Sequence, residues 1–144
     1  MSRERLLRVQ RVLDARRGAA ERILVEQSTL TRAVSGAEQT ARQAMSEWVS
    51  ALNVELASIC SSSDLAERHG YATTLGHRYR AREDEACAAR KQLHACSARL
   101  QSARIEVRKL ELWIDRVRES ASLEEAARDA RAMDELAART RRTA

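Results

Sequence analysis

The chain has 144 residues, with 26 basic and 21 acidic side chains and a formal net charge of +5. It holds no proline, no phenylalanine and only four glycines, and aromatics make up 3% of it. That composition excludes an ordinary globular core, which needs more large apolar side chains, and points to long helices whose core is a line.

The first predicted element is a helix over residues 3–60. Leu6, Val9, Leu13, Arg16, Ala20, Ile23, Gln27, Leu30, Val34, Ala37, Ala41, Ala44, Trp48 and Ala51 follow one another by steps of three and four. Only Arg16 and Gln27 interrupt the apolar character of this stripe. Near Trp48 the stripe shifts by one residue, to Leu52, Leu56 and Ile59, a local departure from the heptad. Gly18 and Gly36 each cost about 1 kcal/mol against alanine in a helix interior. Neither lies on the stripe and no proline accompanies them, so the helix is read through both.

The clearest break is Ser61-Ser62-Ser63-Asp64. Serine and aspartate compete for backbone hydrogen bonds and favour turns and helix N-caps. Asp64 and Glu67 have the spacing of a capping box. The turn is placed at 61–64, with Gly70 as a second site that would extend it to 71. The second helix then covers residues 65–140.

That helix carries the longer seam. Ala72, Leu75, Tyr79, Arg82, Ala86, Ala89, Leu93, Cys96, Leu100, Ala103, Val107, Leu110, Ile114, Val117 and Ala121 alternate by three and four without interruption, and only Arg82 is polar. The mean spacing of about 3.5 residues per turn is the core stripe of a left-handed coiled coil. A short connection makes the two helices antiparallel neighbours, with partner residues whose numbers add to about 126. Leu6 should then face Val117 and Ala121, Trp113 should face the region of Leu13, and Trp48 should face Leu75 and Tyr79. The fold class expected is all-α, a long antiparallel two-helix coiled-coil hairpin forming a single elongated domain.

The halves are unequal, so about 20 C-terminal residues overhang the first helix under this pairing. Their stripe of Leu123, Ala126, Ala130, Met133 and Ala137 is offset by two residues from the main seam. A stutter or a break is expected near Ser120-Ala121-Ser122. An amphipathic helix without an intramolecular partner is a candidate contact surface.

No catalytic, cofactor-binding or metal site is expected, and the chain is read as not an enzyme. His69, His77 and His94 lack the spacing of a two-ligand metal motif. There is no glycine-rich phosphate loop. Cys60, Cys87 and Cys96 form no C-x-x-C pair, and the latter two are about 13 Å apart along one helix, too far to bridge. Reduced thiols are expected, with Cys96 a small core residue. The basic excess raises nucleic acid as a partner, but the charges are interspersed and no aromatic platform accompanies them, so no specific nucleic-acid binding is expected. The N-terminus lacks a leader-type apolar run, and no stretch approaches about eighteen apolar residues, so no membrane insertion is expected. Trp113, beside the seam residue Ile114, is a candidate contact residue. Tyr71 and Leu75, four apart near the turn, are a candidate docking patch.

The C-terminal half then carries a resemblance. The run Ile105-Glu106-Val107-Arg108-Lys109-Leu110-Glu111-Leu112-Trp113 is followed by Arg116, Glu119, Glu124, Arg128, Met133-Asp134-Glu135-Leu136-Ala137 and the cluster from Arg139 to Arg142. Together with Leu6, Val9, Leu13 and Ala20-Glu21, it resembles the central-stalk proteins of type III secretion and flagellar export ATPases, the FliJ/YscO-like family, over essentially the whole chain. The departures are the apolar Leu112-Trp113-Ile114 and the strong arginine bias. The resemblance implies an antiparallel two-helix coiled coil whose terminal end inserts into a hexameric secretion ATPase. It implies that the opposite tip approaches the cytoplasmic domain of the export gate, that the protein is not an enzyme, and that export chaperones are further partners. ATPase-contact candidates are then Arg3, Arg5, Arg8, Arg128, Arg131, Arg139, Arg141 and Arg142. Export-gate candidates are Tyr71 and Leu75. The implied location is cytoplasmic, peripherally associated with the secretion apparatus at the inner membrane, with the protein a monomer on its own. The alternative readings are a scaffolding coiled-coil dimer or an export chaperone-escort protein.

Overall fold

The computed structural model describes residues 3–57 and 61–143. These form two helices, α1 (Arg3–Ala57) and α2 (Ser62–Thr143), and the described residues contain no strand. The fold is all-α, an antiparallel two-helix coiled-coil hairpin. No described residue has a positive φ, glycines included. Gly18, Gly36, Gly70 and Gly76 are therefore ordinary helical positions, and α1 and α2 run through them. The chain divides into two compact units, a terminal unit of Met1–Glu21 with Gln101–Ala144 and a turn unit of Arg22–Leu100.

In the turn unit the two expected stripes are the core. Val34, Ala41 and Ala44 of α1 and Ala72, Leu75, Ala86, Cys96 and Leu100 of α2 are buried, and among the described residues no buried one is charged. Much of this core is alanine, so little apolar area is buried per layer and the helix backbones can approach closely. The one large aromatic layer is Trp48 on Tyr79, stacked with centroids 5.6 Å apart and planes 21° apart, as the pairing requires. Cys96 lies in the seam with its thiol directed at the carbonyl of Ile23 at 3.7 Å. Gln27, the polar residue on the α1 stripe, donates to the Ser97 hydroxyl at 2.9 Å, which satisfies it without breaking the seam.

In the terminal unit Leu13 and Ile114 are buried, while Leu6, Val9, Ala20, Ala103, Val107, Leu110 and Val117 are half-buried. Arg16 and Arg82, the charged members of the two stripes, both turn out to solvent. Arg82 pairs instead with Glu85 one turn on, at 3.0 Å.

The flanking charges explain the antiparallel orientation. With Leu6 and Ala72 at heptad position a, Arg17, Glu38, Arg90 and Glu111 are all e positions, and Glu26, Glu47, Arg78 and Arg99 are all g positions. The bridges Arg17–Glu111 (2.7 Å) and Glu38–Arg90 (3.3 Å) join e to e, while Glu26–Arg99 (3.2 Å) and Glu47–Arg78 (3.8 Å) join g to g. Such like-position pairs form when two helices run in opposite directions. Each is exposed and adds little stability, but each selects orientation and register.

The second helix begins earlier than expected. Helix α2 begins at Ser62, so residues 62–71 are helical rather than part of a turn at 61–64 or one reaching 71. Ser61 is the cap: its hydroxyl accepts from the Asp64 N–H at 3.3 Å, and its carbonyl accepts from the Leu65 N–H at 3.0 Å. Asp64 lies in the first turn instead, where its carboxylate suits the helix N-terminus. Residues 58–60 of the expected first helix, Ile59 and Cys60 among them, lie outside the described residues. At Ser120-Ala121-Ser122 the helix does not break, so α2 carries the shifted stripe on one continuous element.

Candidate functional site

The terminal unit presents a stretch of α2 against which no other described residue packs. Every described residue of α2 from Ala121 onward is exposed, including Leu123 at 66%, Met133 at 66% and Leu136 at 56%. Helix α1 begins at Arg3, and antiparallel pairing pairs it with described residues of α2 only up to about residue 123. The helix continues because it is rich in alanine and arginine, and Arg141 and Arg142 in its last turn offset the helix dipole.

Where α1 begins, an open groove of about 540 Å³ forms against α2. Leu6, Trp113, Val117 and Ala121 give it apolar walls, and Arg3, Arg116, Arg118, Glu124 and Glu125 give it charged ones. Leu6, Val117 and Ala121 thus line one groove, as the register predicts. Trp113 is 40% exposed and borders this groove, so it is neither a core residue nor a free surface one.

The eight candidate arginines are all exposed, but they do not form one cluster. Arg3 lines the groove and Arg5 and Arg8 lie on the first turns of α1, whereas Arg128, Arg131, Arg139, Arg141 and Arg142 extend along a further length of roughly 28 Å from residue 123. Arg128 makes a loose bridge of 3.9 Å to Glu124.

In the turn unit the expected patch of Tyr71 and Leu75 does not exist as a surface. Tyr71 is 63% exposed, but Leu75 is 3% exposed and belongs to the core. Tyr71 precedes the seam residue Ala72 by one position, about 100° around the helix, and so falls outside the buried face. Sequence reasoning missed a shallow groove of about 210 Å³ beside it, lined by Trp48, His69, Thr73, Gly76, His77 and Arg80 among others. His69 in this groove bonds Glu55 at 2.9 Å. The available signal was the pair of small residues Ala72 and Gly76 facing a tryptophan.

The titration shifts are structural ones. The hydrogen bond from Arg17, helped by Arg108, holds the Glu111 carboxyl below the ordinary range and raises the Arg17 guanidinium in turn. Glu83 and Glu38 together raise Arg90. Arg90, Glu38 and Glu83 line a small open groove of about 180 Å³ together with Ala41, Arg42, Met45 and Tyr79. Among the described residues no three His, Cys, Asp or Glu side chains could together hold a metal ion. No described helix is long and apolar enough to cross a membrane.

Residues 2–144 match the family model for the flagellar FliJ protein. The chain belongs to the FliJ family. No curated protein and no solved structure matches it. Membership in the FliJ family makes the chain a flagellar or type III export-related protein.

Proposed function

We propose that the protein is a non-enzymatic central stalk of an export ATPase, with its terminal unit entering the hexameric ring. The observation that carries this reading is the exposed end of α2, a helix of continuous backbone that outlasts its partner and finishes on Arg139, Arg141 and Arg142. A helix with no partner and a basic end suits a ring lined by carboxylates, because complementary potential draws it in and fixes its register. Arg3, Arg5 and Arg8 would meet the ring's entrance, and Arg128 and Arg131 its wall. The turn unit would face the cytoplasmic domain of the export gate, with exposed Tyr71 as the anchor and Leu75 supporting the helix from inside. On this reading the protein works in the cytoplasm beside the secretion apparatus, and export chaperones are further partners.

The test is co-purification with the hexameric export ATPase. The full chain should be retained and should stimulate ATP hydrolysis. The triple variant Arg139→Glu, Arg141→Glu, Arg142→Glu should lose both, while its helix content stays unchanged by circular dichroism. Retention of the triple variant at full strength would rule out the basic end as the contact.

A further inference from the structure

We propose that two copies of the chain pair through their terminal units, with the exposed end of α2 of each lying in the groove beside Trp113 of the other. The groove supplies an apolar floor of Leu6, Trp113 and Val117, with Arg3, Arg116 and Arg118 at its edge and Glu124 and Glu125 where α2 leaves it. Its surroundings are basic: residues 3–11 carry four arginines against Glu4, and residues 104–118 carry five cations against three carboxylates.

The complementary surface is on the same chain. Residues 123–136 carry five carboxylates against Arg128 and Arg131, and they present Leu123, Met133 and Leu136 to solvent. This is an acidic amphipathic helix that starts at the rim of an apolar groove whose other charged walls, Arg3, Arg116 and Arg118, are basic. It cannot fold back into its own groove, because both belong to one uninterrupted helix, and α2 has no break at which to reverse. A second copy approaching with its α2 antiparallel meets no such obstacle. A two-fold axis then seats both ends at once, since each chain offers the groove and the segment that fills it. The apolar side chains leave water, and the acidic run lies over the basic one.

This pairing goes beyond the stalk reading, and it hides the surface that reading assigns to the ring. Dimer and ring would therefore compete for one end of the protein.

The test is sedimentation equilibrium of the full chain over a wide concentration range. A monomer–dimer equilibrium that weakens with added salt is expected. Two charge-reversed variants separate this interface from any other. One carries Glu124→Arg, Glu125→Arg and Asp129→Arg; the other carries Arg3→Glu, Arg116→Glu and Arg118→Glu. Each alone should dimerise at least about tenfold more weakly than the parent, because like charges then face each other. An equimolar mixture of the two should recover a heterodimer, because both contacts are again of opposite sign. Circular dichroism checks that each variant is folded. A chain that stays monomeric at every concentration overturns the proposal, and so does a dimer that neither reversal weakens. The measurement uses the protein alone, so its failure leaves the ring reading intact, and loss of ring binding leaves the pairing intact.

Discussion

The indole of Trp48 lies against the backbone of Gly76, so close that a β-carbon there would stand 3.0 Å from its Nε1. Tyr79 stacks on the same ring. The largest side chain of the turn unit is thus held between a tyrosine and a missing side chain.

This contact reverses the usual sign of a glycine substitution. Gly76→Ala should lower stability by about 1 kcal/mol net, since the strain of overpacking exceeds the gain in helix propensity. Gly36→Ala and Gly70→Ala should each raise it by about 0.5–1 kcal/mol, because a β-carbon at either position meets nothing within 4 Å. Urea unfolding of the three variants checks the sign. A stabilised Gly76→Ala protein would mean that the Trp48 ring moves aside at no cost.

The two units should respond differently to core changes. Ala86 is wholly buried, so Ala86→Leu should cost about 1–3 kcal/mol by forcing the helices apart in the turn unit. Ile114→Ala should cost about 2 kcal/mol in the terminal unit, at the low end for such truncations because solvent lies near the seam. Fluorescence of Trp48 and of Trp113, isolated by replacing the other with tyrosine, reports which unit loosens.

Acid should weaken the terminal unit through Glu111. Its carboxyl is held below the ordinary range by the Arg17 hydrogen bond, so the unfolded chain takes up that proton at a higher pH than the folded one. The stabilisation is therefore complete above the ordinary carboxylate range and is lost as pH falls through the depressed folded value. Glu111→Gln should flatten this part of the acid limb of a thermal-unfolding profile while leaving the neutral region little changed. Both partners are solvent-exposed, so the effect should shrink further in high salt.

Deleting residues 122–144 should leave the unfolding midpoint almost unchanged. Every described residue of that segment is exposed and none belongs to the core. The helical signal should fall by the share of the removed residues, and capture by the export ATPase should disappear. A large drop in midpoint would show that the segment contributes to folding.

The sequence by itself determined the two seams, the antiparallel pairing and the overhang. Heptad spacing is a local property of the chain, and one break between two long stripes permits only one short-range pairing. The packing of Trp48 on Tyr79 and of Leu6 near Val117 and Ala121 followed from that register. The e–e and g–g charge pairs were also written in the chain, and could have been read once positions a and d were assigned.

The tertiary structure decided what depends on rotation by less than one residue. Tyr71 and Leu75 share a face on a helical wheel, yet one is exposed and the other buried, because the edge of the partner helix falls between them. The cap lies at Ser61 rather than at Asp64 because several neighbouring residues can cap a helix, and only backbone geometry chooses among them. The groove at Trp113 exists because α1 begins opposite it while α2 continues. Periodicity states which residues of one helix face inward; where that helix stops against its partner is a fact about two helices together.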